Sequence, residues 1–259
     1  WSRGLGDVYK RQLDILNTSD ESGERAVAFI GAGRVASNYA NLQTADIFLI
    51  AAPDDQIITC CEALTHSKRL SENSIVFHCS GALPSSILQS ASEHGATIAS
   101  IHPIRSFAVP KKVVADFACT YCGVEGDYAA LDVLNEIFTA IGAQFVPINH
   151  DAKVLYHAAA VFASNYLVTL LDTAVQTYSK AGIPQDIALK MMVSLVRETT
   201  ENVLKIGPEQ ALTGPIARGD VATVIKQYRA VNGWDKHYGK LYKQMGKLTA
   251  DLARRGKKK

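Results

Sequence analysis

Residues 25–36 read RAVAFIGAGRVA, in which an apolar run leads directly into a Gly-x-Gly-x-x-Ala turn. The run predicts a buried β-strand, and Val35–Leu42 predicts the helix that follows it. In a dinucleotide site of this kind Gly31 makes the tight turn, Gly33 lets the backbone approach a pyrophosphate, and Ala36 permits close helix packing. The helix amino terminus would then face the phosphates. A plain strand-to-helix turn also favours glycine, so the motif alone leaves both interpretations open.

The alternation of strand and helix continues after this motif. Near-continuous apolar runs predict strands at residues 46–52, 74–78 and 97–101, with helices at residues 55–64 and 85–94 between them. Strands of this composition are usually buried on both faces of a parallel sheet. A helix over residues 128–141 and a short strand over residues 144–148 are predicted to close the sheet, and after residue 150 the pattern indicates helices alone.

The composition argues against several classes of protein. Lys and Arg number 27 against 25 Asp and Glu, so a broad basic surface for nucleic acid is not expected. No apolar run approaches the roughly 20 residues needed to span a bilayer. Five cysteines, an odd number, suit a reduced cytosol better than a disulfide framework. Neither the histidines nor the cysteines have the spacing of metal ligands, so no metal is predicted. We therefore expect a cytoplasmic protein that binds neither nucleic acid nor membrane.

Polar residues follow the predicted strands where each strand ends. Ala52, Pro53, Asp54 and Asp55 follow the strand at residues 46–52, Ser80 and Gly81 follow the next one, and His102 follows the third. Ligands of open α/β sheets collect at the carboxyl ends of the strands. These residues are therefore expected to border the same crevice as Gly31 and Gly33.

Six segments of the chain together resemble one bacterial protein family. They are Gly31-Ala32-Gly33-Arg34-Val35, Ala52-Pro53-Asp54-Asp55, residues 78–83 (HCSGAL), residues 102–107 (HPIRSF), residues 156–166 (YHAAAVFASNY) and residues 212–220 (LTGPIARGD). The family consists of Rossmann-like oxidoreductases with an uncharacterised helical carboxyl half of the 6-phosphogluconate-dehydrogenase-like class. Its distant relatives are ketopantoate reductase and pyrroline-5-carboxylate reductase. The similarity runs from about residue 25 to the end of the chain.

The resemblance implies an α/β fold in which a parallel Rossmann-like sheet is followed by an all-helical carboxyl-terminal domain. Residues 1–24 are then a disordered or artefactual lead-in, because residues 1–12 look like a translated adapter. Residues 25–150 form the dinucleotide-binding domain, and residues 151–259 form a helical domain for substrate binding and dimerisation. One departure from the family is clear: only residues 37–44 separate Ala36 from the next strand, so the second strand is missing.

The resemblance also implies an activity, namely an NAD(P)H-dependent reductase of a small carboxylate-bearing carbonyl or imine compound, with ketopantoate as the leading substrate. NADP or NAD would be held by Gly31, Gly33, Arg34, Val35 and residues 52–55, and the protein would be a homodimer. The residue that reads the ribose 2′ position falls in the missing strand, so the sequence does not choose between the two coenzymes. The alternative is a non-catalytic nucleotide-binding regulatory or scaffold protein that has lost part of its cofactor pocket.

The predicted long helix at residues 152–179 carries the catalytic candidates. Lys153, His157 and Ser164 share one face of it. The resembled superfamily has a catalytic lysine near the start of this helix and an asparagine four residues later. Here His157 stands at that second position, and Asn165 lies two turns beyond. We expect the proton donor to be His157, or Lys153 with its pKa lowered by burial. The alternatives are a solvated lysine and a packing histidine.

Further residues are candidates for binding substrate. Ser80 and Gly81 resemble a loop that holds a substrate carboxylate, although a simple turn is the alternative. His102 is expected to donate to substrate or nicotinamide, or else to cap its own loop. Ser164 and Asn165 are predicted to line the substrate pocket. Arg218 is expected to bind a carboxylate across the dimer interface, or to pair with an acid such as Asp220.

Overall fold

The structure is a computed structural model that describes residues 14–17, 19, 21, 24, 34–36 and 38–257. Gly31 and Gly33, the predicted strand before them and most of the predicted lead-in lie outside the described residues. The cofactor-binding role expected of the two glycines therefore stays a prediction.

A small parallel sheet of two strands precedes the main sheet. It pairs β1 (Asp14–Leu16) with β2 (Arg34–Ala36). The predicted helix at residues 35–42 is wrong, because Val35 and Ala36 belong to β2 and only a 3-10 turn, Tyr39–Asn41, follows. The side chain of Asn38 accepts a hydrogen bond from the Asn41 backbone N–H at 3.1 Å and caps this turn. Asparagine forms such local bonds in preference to helix interiors.

The main sheet has five strands in the order β3-β4-β5-β6-β7. They are β3 (Ile47–Ile50), β4 (Ile75–His78), β5 (Thr97–Pro103), β6 (Tyr121–Gly126) and β7 (Gln144–Pro147). The predicted α/β class is confirmed, with one correction to the parallel sheet: β6 runs antiparallel to β5, whereas the other neighbours are parallel. Between β5 and β6 the chain forms only the short helix α3 (Pro110–Ala115), whereas a parallel connection usually requires a crossover helix.

Both faces of the main sheet are covered. Helices α1 (Ile57–His66) and α2 (Gln89–Glu93) belong to one side, where Val76 of β4 packs in a core with Leu64 and Leu88. Helix α4 (Tyr128–Ala140) covers the other side, where Phe77 packs with Ile101 and Leu134. Adjacent residues of β4 thus enter opposite cores, which explains why its sequence is apolar without alternation.

The rest of the chain is helical, as predicted. The helices are α5 (Lys153–Ala163), α6 (Asn165–Lys180), α7 (Gln185–Ile206), α8 (Pro208–Ala211), α9 (Pro215–Arg218), α10 (Val221–Trp234) and α11 (Lys236–Gly256). The single helix predicted at residues 152–179 is divided at Ser164, whose φ of −122° and ψ of −73° are not helical. The chain divides into two compact units at the same position in the sequence: one ends at Ser164 and the other begins at Asn165. Helix α5 therefore belongs with the sheet, although the sequence-based division lay at residues 150 and 151.

One helical stretch of the described chain, His150–Lys180, is long and apolar enough to cross a membrane by length and composition. The expectation that no stretch reaches this length is therefore wrong by that measure. A single stretch of this kind is weak evidence for a membrane span. It is interrupted at Ser164, and its first turn carries Lys153, whose side chain is buried against the sheet.

Candidate active site

Lys153 lies at the first position of α5, and its side chain is 1% exposed. The turn before it, His150–Ala152, is capped by Asn149, whose side chain accepts from the Asp151 N–H at 2.9 Å. The Nζ of Lys153 donates to Glu125 Oε1 at 3.1 Å and also contacts Ser100 Oγ. The alternative of a solvated first-turn lysine is therefore wrong.

Glu125 of β6 is the partner of this buried lysine. Its two carboxylate oxygens accept from the backbone N–H and the hydroxyl of Ser85, each at 2.7 Å. Burial raises the pKa of Glu125, but the Ser85 bonds and the Lys153 charge outweigh it, so the pKa is lowered. Burial lowers the pKa of Lys153, with Glu125 acting in the opposite direction. Sequence reasoning missed Glu125, Ser85 and Ser100, although a carboxylate inside an apolar strand was a usable signal.

A second polar cluster lies beside the first, within the same unit. The hydroxyl of Tyr156 is 2.9 Å from His102 Nδ1. The rings of His102 and His157 meet edge to face, with centroids 5.5 Å apart. Sequence reasoning missed Tyr156 as well, although its position next to His157 in the chain was a signal. The structure thus brings together residues from the end of β5 and the second turn of α5.

Gly81 packs directly against these side chains. A Cβ at this position would lie 2.2 Å from His157 Nδ1 and 2.8 Å from His102 Nε2, so only glycine fits here. Both nitrogens therefore lie close to Gly81, and they can be no farther apart than the sum of these distances. The Nδ1 of His157 is buried and has no hydrogen-bond partner among the described residues. Because buried polar atoms are almost always paired, this nitrogen is suited to a polar group of a ligand.

Two histidines of this region are held neutral. Burial lowers the pKa of His102 to about 4, and the nearby His157 and Lys153 act in the same direction. Burial also lowers the pKa of His78 to about 4. The Nδ1 of His78 accepts from the Ser80 N–H at 3.1 Å, so its Nε2 donates to the Pro84 carbonyl at 3.2 Å.

The low pKa of His78 predicts a dependence of stability on pH. Between pH 6.5 and about 4 the unfolded chain binds more protons than the folded one, so the free energy of unfolding falls as the pH falls. His78 alone accounts for a loss of about 2 kcal/mol between pH 7 and pH 5. Urea unfolding at the two pH values checks this: His78→Gln is expected to reduce the pH dependence, and the exposed His94→Gln is not. An equal pH dependence in all three proteins would contradict the prediction.

The remaining predicted residues of the sheet unit are placed as follows. The Oγ of Ser80 accepts from the N–H groups of Ala82 and Leu83 at 3.2 and 3.0 Å, as in a simple turn. Residues 52–55 follow β3, whose last residue, Ile50, pairs in parallel with His78, so they lie at the same edge of the sheet as His78. Arg34 and Val35 lie in β2 rather than at a helix start.

Three other candidates lie away from this cluster in the chain. Ser164 is exposed at the end of α5, and Asn165 and Arg218 belong to the second unit. Asp220 caps α10 by accepting from the Thr223 N–H at 3.0 Å; the Thr223 side chain and backbone N–H together lower the pKa of Asp220, and the Arg218 charge adds to the effect. Within the described residues, no group of three or more His, Cys, Asp or Glu side chains is arranged to hold a metal ion.

Two family models match the chain. A Rossmann-like domain matches residues 7–103, and a domain of unknown function, DUF2520, matches residues 120–249, which is half of the chain. The chain belongs to the DUF2520 family. The resemblance to Rossmann-like oxidoreductases with an uncharacterised helical carboxyl half is therefore confirmed. No curated protein matches this chain.

Solved structures with the same fold include protein TM1727 from Thermotoga maritima, which is 28% identical with a TM-score of 0.75 and covers 94% of this chain and 91% of its own. BF3122 from Bacteroides fragilis, a candidate NADP oxidoreductase, is 18% identical with a TM-score of 0.74 and covers 93% and 89%. The pyrroline carboxylate reductase of Plasmodium falciparum, solved with NADP bound, is 11% identical with a TM-score of 0.56 and covers 94% and 98%. At these identities the last two establish the fold alone.

Proposed function

We propose that this DUF2520 protein is an NAD(P)H-dependent reductase of a small carbonyl or imine compound that carries a carboxylate, such as a 2-oxo acid of the ketopantoate type. The observation that carries the proposal is the cluster of His102, His157 and Gly81, in which the buried Nδ1 of His157 has no hydrogen-bond partner among the described residues. The cluster lies at the carboxyl ends of β4 and β5, where open α/β sheets bind ligands.

The described residues fit a dinucleotide at this edge of the sheet. Residues 52–55 follow β3 at this edge, and the buried Nδ1 of His157, which has no partner among the described residues, is left for the group that is reduced. The pyrroline carboxylate reductase of the same fold was solved with NADP bound, which supports a nicotinamide dinucleotide as the coenzyme. When bound, the reduced nicotinamide supplies a hydride to the carbon of the C=O or C=N group.

The chain supplies the proton that balances this transfer. As the carbon gains the hydride, the π electron pair moves to the oxygen or nitrogen of the substrate, which must then be protonated. We assign the proton to His157 Nδ1, because it is buried at this edge of the sheet and has no hydrogen-bond partner among the described residues. Lys153 is instead engaged with Glu125 and Ser100, and we assign it a positioning role.

Coenzyme titration followed by a substrate screen tests the function. Binding of NADPH or NADH is measured by nicotinamide fluorescence, and coenzyme oxidation is followed with a panel of 2-oxo acids and cyclic imine carboxylates. Binding with turnover is the expected result. Binding without turnover across the panel would favour the non-catalytic alternative, and the absence of binding would overturn both.

We also propose that the protein is a cytoplasmic homodimer that binds no nucleic acid or membrane. Helices α6 and α7 expose apolar side chains that a monomer would leave in water: Val168, Leu189, Val193 and Leu195 are each more than half exposed. Exposed apolar patches of this kind are typical of interfaces.

Light scattering on the purified protein tests the dimer. The mass is expected to be that of two chains, and Leu195→Glu is expected to reduce it to one because the charge would be buried in the interface. Glu201→Gln, an exposed change on the same helix, is the control. A wild-type mass of one chain would contradict this prediction.

A further inference from the structure

Tyr156 has no role in the proposed proton transfer, yet its hydroxyl lies in the centre of the second polar cluster. Gly123 lies against the phenolic oxygen. A Cβ on Gly123 would lie 2.3 Å from that oxygen, so only glycine allows this approach. The hydroxyl has one proton to donate.

His102 Nδ1, at 2.9 Å, is the acceptor that the described residues place within reach of this proton. We propose that Tyr156 is a positioning residue, which donates to His102 Nδ1 and thereby fixes the ring proton of His102 on Nε2. This inference rests on the proposed function, because it assigns His102 Nε2–H as the donor that holds the substrate oxygen or nitrogen.

The position of the ring proton decides what His102 can do. A neutral imidazole has one N–H donor and one acceptor nitrogen. With the proton on Nε2, the ring directs a donor at the atom that gains negative charge as the hydride arrives, and such fixed donors lower the barrier. With the proton on Nδ1, a lone pair would face that atom and repel it.

The surroundings of the pair support this arrangement. Burial keeps the pKa of His102 at about 4, so the ring is neutral near pH 7. Burial raises the pKa of Tyr156, so its hydroxyl keeps the proton that it donates. The two residues are 54 positions apart in the chain, and the contact joins α5 to the end of β5.

The tautomer of His102 is measured first, on the wild-type full-length protein without coenzyme. Long-range nitrogen-15 NMR of histidine-labelled protein at pH 7 distinguishes the two neutral tautomers, and His102→Gln identifies the signal. The Nε2–H form is expected in wild type. Finding the Nδ1–H form, or an even mixture, would overturn the inference without any measurement of activity.

The second measurement uses Tyr156→Phe, with Tyr128→Phe as the control because Tyr128 is 87% exposed. Loss of the hydroxyl is expected to mix the tautomers of His102 and to lower kcat about 10-fold or more, as loss of an oriented donor does, with KM little changed. An unchanged tautomer in the variant would overturn the inference. If the wild-type protein shows no turnover, the reductase proposal fails, but the tautomer measurements still decide the role of Tyr156. If Tyr156→Phe does not fold, the tautomer of His102 in the wild-type protein decides whether the inference holds.

Discussion

Substitution of His157 by alanine is expected to lower kcat by about 10²- to 10⁴-fold, the usual contribution of a positioned acid or base. The physical reason is that the substrate oxygen or nitrogen would gain charge without the acid that we assign to protonate it. Coenzyme affinity should change little, because the proposed dinucleotide contacts come from other segments. Steady-state kinetics with the substrate found in the screen, together with coenzyme fluorescence, measure both quantities.

The matched control for this variant is His237→Ala, since His237 is an exposed histidine of α11 in the second unit. His157 Nδ1 makes no hydrogen bond within the described protein, so the variant loses none there and thermal unfolding should show a folded protein. A kcat within about threefold of wild type in a folded His157→Ala protein would rule out this residue as the proton donor.

Replacement of Lys153 by methionine is expected to lower the free energy of unfolding of the sheet unit by about 3–5 kcal/mol. The change leaves Glu125 as a buried carboxylate without its lysine partner, although the two bonds from Ser85 and the contact with His150 Nδ1 at 3.4 Å remain. Tryptophan fluorescence is a poor probe of this change, because the only tryptophans of the sequence are Trp1 and Trp234, which are far along the chain from β5 and β6. Hydrogen exchange of the β5 and β6 amides instead reports the opening of this unit directly.

The double variant Lys153→Met/Glu125→Leu separates the cost of the orphaned charge from the cost of lost packing. It should recover a large part of the stability, since an apolar pair of similar volume often replaces a buried ion pair without loss. Lys190→Met breaks an exposed pair with Asp186, and its effect is expected to stay below about 1 kcal/mol. A Lys153→Met protein that loses no more than this surface control would show that the buried pair is not important for stability.

The sequence alone was sufficient to predict the strands that are buried on both faces of the sheet. The strand predicted at residues 74–78 is observed as Ile75–His78, because a two-sided core requires an unbroken apolar run. The direction of β6 was beyond this reasoning, since side chains alternate with the same period in parallel and antiparallel strands. The division of the long helix at Ser164 also had no local signal, because no proline or glycine stands there.

The site was predictable only in part, because local sequence patterns do not show which distant segments come into contact. The rule that strand ends meet at one edge brought Gly81 and His102 together correctly in space, and helical spacing put Lys153 and His157 on one face. The residues that hydrogen-bond to these side chains and shift their pKa values come from distant segments of the chain. Glu125 meets Lys153 across 28 residues, and no periodic pattern marks such a pair.

The carboxylate of Glu125 links three segments that are remote from one another along the chain: the turn at Ser85, strand β6 and helix α5. None of these segments can move away without leaving a buried charge or hydrogen-bonding group unpaired. Fluctuations of these three segments should therefore be cooperative, and helix α5, which carries His157, should move only together with the sheet.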